Sequence, residues 1–158
     1  MSWISPIVDR VSTDISGLAT SADNIRENKV KTFQPLNIGE EITLKKGMLT
    51  IDTLNRIENN QQELKSILNS CGYGNINIMS NSWSNSDILY KEDWQQILIN
   101  DEILRTSFFA YSTTPQTSNE KLNYTNLNAV EQILKDLHDM ASSMINNYRL
   151  CNTFKCGE

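Results

Sequence analysis

LTIDTLNRIENNQQEL, running from Leu49 to Leu64, decides the reading of this chain. Its apolar residues Leu54, Ile57 and Leu64, with Leu68 beyond, recur at the spacing of one face of an α-helix. Between them stand Asn55, Arg56, Glu58, Asn59 and Asn60, although asparagine is a mediocre helix former. Two later segments repeat the apolar pattern. Leu89 and Trp94 are followed by Ile97, Leu104 and Phe108; Leu122 and Leu127 are followed by Val130, Leu137 and Ala141. In each segment a leucine precedes a large apolar residue by five. With Thr50 and Asn123 as N-caps, Leu49 and Leu122 fall just before the cap. Leu54 and Leu127 then take the fourth helical position, the arrangement of a hydrophobic staple. Leu89 and Trp94 repeat the spacing. Tyr90 is no capping residue, which leaves Asp87 or Asp93 to serve there. The fold expected is mainly α: three repeated amphipathic helices in an up-down bundle. Asn55, Gln95 and Asn128 recur at one place in the three segments, which suggests a polar bundle face or a shared hydrogen-bonding role.

Breakers separate the helices. NSCGYGN after the first segment holds Gly72 and Gly74, both suited to a helix stop. SNSWSNSD forms a polar loop, and Pro115 in YSTTPQTSNEK bars helix continuation. The layout expected is residues 1–47 as an N-terminal helix and extended attachment segment, 48–147 as the bundle and 148–158 as a C-terminal arm. Val8, Val11, Ile15, Leu18 and Ile25 give residues 6–28 a helical pattern, weakened by Ser16 and Gly17. LNIGEEITL has the pattern of a short strand or hairpin. The tail YRLCNTFKCGE could add a strand to a neighbour or fray.

The chain has 158 residues, one domain's worth, of which 39% are hydrophobic. That is leaner than the roughly 45–50% of typical globular chains, so the core is thin and partners contribute to shape. The net charge of −5 argues against nucleic-acid binding, which needs a basic face. No apolar run of about 18 residues offers a membrane span, and the opening MSWISPIVDRVSTD has no secretory-signal pattern. Three cysteines, Cys71, Cys151 and Cys156, fit free thiols better than a zinc site, because no second Cys/His pair accompanies them.

Chemistry finds little footing. His138 is the only histidine, and no marked nucleophile accompanies it. Asp136 and Asp139 flank it and Glu40 adjoins Glu41, but neither arrangement specifies a cleft with facing carboxylates. The glycines form no phosphate-cradling loop. No residue is therefore assigned a catalytic, cofactor-binding or metal-ligating role. Trp94 is expected in the core. Trp3 and Phe154 are candidates for contact with another chain or for packing on their own bundle.

PIVDRVSTDI, LTIDTLNRIENNQQELKSIL, SWSNSDILYKEDWQQILINDEILRTSFF, LNYTNLNAVEQILKDLHDM and YRLCNTFKCGE together resemble a group of tailed-phage structural proteins from Gram-positive hosts. The motifs fall on Pro6 to Arg10 with Asp14 and Ile15, on Leu54 to Asn60, on Asp93 to Ile97 and on Tyr148 to Glu158. They cover most of the chain in order; residues 16–47 depart from the pattern. The resemblance implies a non-enzymatic component of a phage tail or baseplate, or of a phage-tail-like particle. Such a protein is made in the host cytoplasm and carried in the virion. Its expected partners are other phage structural proteins in multiple copies, with neither nucleic acid nor membrane among them. The expected contact residues are Trp3, Arg10, Leu49, Leu54, Arg56, Leu89, Trp94, Leu122, Leu127, Tyr148 and Phe154. The alternatives are an assembly chaperone or adaptor absent from the mature particle, and a cell-wall hydrolase accessory.

Overall fold

The computed structural model describes residues 2–14, 49–84, 86–117 and 122–153, with the backbone alone from 148 onward. Three helices, α1 (Ile51–Ser70), α2 (Lys91–Ser107) and α3 (Tyr124–Thr153), each pack against the other two. The protein is mainly helical, and its helices form the expected bundle. Among the described residues no strand occurs.

The repeated spacing works as helix-start grammar. Thr50 Oγ1 accepts the Thr53 N–H at 3.2 Å, and Asn123 Oδ1 accepts the Asn126 N–H at 2.8 Å. At α2 the bond is reversed: the Tyr90 N–H donates to Asp93 Oδ2 at 2.9 Å, so the acid three residues on does the capping. Leu54, Trp94 and Leu127 are buried, and Leu49, Leu89 and Leu122 lie half-buried against the same core. At the end of α1, the Gly72 N–H bonds the Asn69 carbonyl and the Tyr73 N–H bonds the Leu68 carbonyl, both at 3.1 Å. This is a Schellman stop, and it needs a left-handed residue, which Gly72 supplies at φ +87°.

The core is a narrow seam. Ile57, Leu64 and Leu68 of α1, Ile97 and Leu104 of α2, and Val130, Leu134 and Leu137 of α3 fill it. Ile76 and Ile78, on the extended segment 73–84 that follows α1, close one side. Their exposed neighbours Asn77 and Met79 give the segment a strand-like alternation without a sheet.

Two boundaries differ from expectation. Residues 2–11 are not helical; helical structure begins only at 12–14, later than the pattern from Pro6 suggests. Helical bonding is unavailable because the Ile7 and Arg10 N–H groups donate to side chains of α3. At the other end, α3 continues through Tyr148 to Thr153, past residue 147 where an arm was expected to begin. At 30 residues it is about 45 Å long, and Ala141 is the last core residue among its described side chains. Phe154, LNIGEEITL and the remainder of the N-terminal helical pattern lie outside the described residues.

The staple is graded by burial, and so should its mutants be. Leu54→Ala should cost about 2–4 kcal/mol, because the side chain is removed from the core. Leu49→Ala should cost on the order of 1 kcal/mol, since that side chain is only partly removed from water. Urea unfolding of the two variants measures both, and equal losses would reject the staple geometry.

Candidate functional site

Polar residues of the helices, not the core, make the most specific contacts in the molecule. Asn55 sits one residue after Leu54, and Asn128 one residue after Leu127, so the two occupy equivalent places in the repeat. Each clasps the backbone of one residue in an extended segment. Asn55 Oδ1 accepts the Trp83 N–H and its Nδ2 donates to the Trp83 carbonyl, both at 3.0 Å. Asn128 Oδ1 accepts the Arg10 N–H at 3.3 Å and its Nδ2 donates to the Arg10 carbonyl at 2.8 Å. A side-chain amide presents the same donor–acceptor pair as a peptide group, so it substitutes for the neighbouring strand these segments lack.

Three residues further along each helix stands a buried glutamate. Glu58 Oε1 accepts the indole N–H of Trp83 at 2.9 Å, and its other oxygen accepts the Asn81 N–H. Glu131 Oε2 accepts Arg10 Nη1 at 2.6 Å and the Ile7 N–H at 3.0 Å. An Asn-x-x-Glu pair therefore reads one residue twice, backbone by the amide and side chain by the carboxylate. It does so on α1 for Trp83 and on α3 for Arg10. In α2 the corresponding residues are Gln95, which is exposed, and Leu98, which joins the core. The recurrence of Asn55, Gln95 and Asn128 thus marks a shared hydrogen-bonding role in two of the three helices.

The α3 clamp is the stronger. Arg56 of α1 reaches the second oxygen of Glu131 through Nε at 2.8 Å and Nη2 at 2.7 Å. One carboxylate thus joins α3, α1 and the segment 2–10, with Arg10 only 2% exposed and Glu131 1%. Arg10 Nη1 also donates to the Ile7 carbonyl and to Asn128 Oδ1. Asn60 extends the clamp toward the start of the segment. It accepts the Ile4 N–H at 3.0 Å and donates to the Ile4 carbonyl at 2.7 Å, while Asn59 Nδ2 donates to the Ser2 carbonyl at 2.8 Å. The Trp3 ring stacks on His138 of α3 at 3.9 Å between centroids, with 10° between planes. Burial lowers the His138 pKa below its ordinary value, against the pull of Asp139 and Glu63, so near-neutral pH leaves the stacking partner uncharged.

A second polar contact ties α1 to α2. Gln61 Nε2 donates to the Ile97 carbonyl at 3.0 Å and to Asp101 Oδ1 at 2.8 Å, and its Oε1 accepts Asn100 Nδ2 at 3.0 Å. Asn100 Nδ2 also reaches the Met79 carbonyl at 2.6 Å, which pins the extended segment 73–84. Asp101 is fully buried, and burial holds its pKa well above the ordinary carboxylate range despite the bond from Gln61.

Of the contact residues expected from sequence, Trp3, Arg10 and Arg56 meet in or beside one cluster. Leu49, Leu54, Leu89, Trp94, Leu122 and Leu127 are core and staple residues. Tyr148 lies in α3. Asn128 was marked by its recurrence with Asn55, whereas Glu131, Gln61 and Asp101 were missed. Their signal was present: Glu131 lies four after Leu127 and three before Leu134, on the buried stripe, where a charge needs a partner.

Against known proteins this chain stands apart: it matches no family model, no curated sequence and no solved structure. The clamps are therefore read by their chemistry. Glu58 borders an open polar cleft of about 520 Å³ with Asp52, Asn55, Arg56, Asn59 and Gln62. Burial raises the Glu58 pKa, opposed by the bonds from Trp83 and Asn81. Both its oxygens are occupied by the segment it holds. Among the described residues no group of three or more His, Cys, Asp or Glu side chains could hold a metal, and no helix is long and apolar enough to cross a membrane.

Glu131→Gln should destabilise the protein by about 3–5 kcal/mol, because it removes the buried carboxylate charge that pairs with both Arg10 and Arg56. Chemical denaturation measures this, and a loss below about 1 kcal/mol would show that the cluster is not a buried ion triad. Asp101 sets a pH dependence. Its folded pKa lies above the unfolded one, so the folded state keeps a proton that the unfolded state has lost, and stability falls as pH rises above about 4. Asp101→Asn removes that term and keeps an acceptor for Gln61. Its melting temperature should gain on the parent as pH rises toward neutrality; a pH-independent difference would contradict a raised acid.

Proposed function

We propose that this chain is a non-enzymatic structural subunit of a tailed phage or phage-tail-like particle, placed in the tail or baseplate, where it holds other structural chains together. One observation carries the reading. The residues behind the family resemblance lie far apart in sequence, yet Arg10 of the opening motif and Arg56 and Asn60 of the helix-start motif converge around Glu131 and the segment 2–10. They spend their polar groups on one another and on backbone. A motif that builds a docked segment belongs to a protein whose work is holding chains. In the Asp93 to Ile97 motif, Asp93 caps α2, and Trp94 and Ile97 fill the core. The acidic net charge fits a subunit that remains soluble until it docks. Multiple copies are expected, because tail assemblies are built on symmetry.

The test is the composition of the particle. Particles purified after induction should contain the protein in several copies, and gold-labelled antibody should mark the tail or its tip. Protein abundant in the lysate but missing from mature particles would overturn the reading in favour of an assembly chaperone.

A further inference from the structure

The two Asn-x-x-Glu clamps hold segments of very different tether. Trp83 follows α1 by the short run 71–82, so the α1 clamp closes on chain that is already beside it. Arg10 is 118 residues from Asn128 and 121 from Glu131. It is also separated from α1 by residues 15–48, a stretch of 34 residues. That many residues reach at most about 120 Å, several times the roughly 30 Å length of α1. Tether length therefore does not oblige residues 2–10 to sit on their own bundle.

The contacts themselves are those made to an incoming peptide. The backbone is read at Ile4 by Asn60 and at Arg10 by Asn128. Two side chains give sequence preference: Trp3 on the His138 ring, and Arg10 on Glu131. Every one of these bonds forms identically whether the segment comes from the same copy or from the next. Exchange between copies thus conserves the contacts just named. Its balance is set by concentration, the local concentration of neighbouring copies against the effective concentration imposed by the tether.

We infer that the clamp on α3 is an intersubunit socket, in which residues 2–10 of one copy dock across α1 and α3 of another copy of the same chain. The inference rests on the reading of the protein as a multi-copy assembly subunit, and it names the partner of that site. The same segment can seat on its own bundle when copies are dilute and on a neighbour's when they are crowded. Assembly would then be driven by mass action at an existing site and would create no new interface chemistry.

Photo-crosslinking on the full chain tests this. Trp3 is replaced by benzoylphenylalanine, which keeps an aromatic ring for the His138 stack, and this copy is mixed with heavy-isotope-labelled wild-type chain. After irradiation, mass spectrometry reads whether position 3 has joined a light or a heavy α3 peptide containing His138. The socket predicts light-to-heavy crosslinks whose share rises with protein concentration. Arg10→Ala in the light chain should cut that yield on the order of tenfold or more, since it removes the buried anchor. Crosslinks confined to the light chain at every concentration would overturn the inference. So would light-to-heavy crosslinks that ignore Arg10→Ala, because random collision would then explain them. Native mass spectrometry of unmodified protein is the independent check: concentration-dependent oligomers support the socket, and a monomer throughout rejects it. Neither result touches whether the protein is found in particles, so the two readings fail separately.

Discussion

The carboxylate of Glu131 is the constraint on which the rest depends. It receives Arg10 and the Ile7 N–H on one oxygen and Arg56 on the other, in a site almost closed to water. Taking these ionised groups out of water is expensive, and their mutual attraction recovers that cost only in part, since Arg56 Nη2 lies 2.7 Å from Glu131 Oε1 without hydrogen-bond geometry. The net gain over well-packed hydrophobic residues is therefore small. What the cluster provides is registry. A segment shifted by one residue would put Asp9 or Val11 where Arg10 sits and leave Glu131 facing the wrong chemistry.

The same logic explains how a chain with a lean core holds its shape. Extended segments carry backbone donors and acceptors that must be satisfied when they are covered, and without a sheet there is no neighbouring strand to do it. Asn55, Asn60, Asn69 and Asn128 take that place. Asn69 clasps Ile76 much as Asn55 clasps Trp83, accepting its N–H at 2.9 Å and donating to its carbonyl at 3.4 Å. Asparagine is poor for helix propensity but short, rigid and two-handed. A few tenths of a kcal/mol lost in propensity per residue are offset by backbone groups that would otherwise stand unpaired. The asparagine-rich face of α1 is thus the sheet edge of a protein that has no sheet among its described residues.

This sets what sequence could reveal. Helix positions were legible because Leu49, Leu89 and Leu122 repeat one local rule, and each rule is satisfied within a few residues. The stop after α1 was legible at Gly72 for the same reason. The course of residues 2–11 was not, because Val8 and Val11 suit a helix and only the distant Glu131 and Asn128 make the non-helical form better. The recurrence of Asn55 and Asn128 was visible, but its meaning needs Trp83 and Arg10, which carry no periodic signal. Glu131 and Asp101 were readable as acids on an apolar stripe, yet their partners lie on other helices or on the segment 2–10.

The asymmetry among the three helices is itself informative. Where α1 and α3 carry Glu58 and Glu131, α2 carries Leu98, buried in the core. A clamp there would need a third extended segment to cover its carboxylate. Instead α2 turns Asn100 and Asp101 inward, and Gln61 meets them from the equivalent place on α1, four residues past Ile57 as Asp101 is four past Ile97. Each repeat therefore presents one apolar ridge and one polar set, and the polar set has two uses. Turned toward a covering segment it is a clamp; turned toward another helix it is a lock that fixes the bundle's register. A bundle locked on α2 and clamped on α1 and α3 therefore holds its covering segments through polar groups of all three helices, since Asn100 of the lock also takes the Met79 carbonyl.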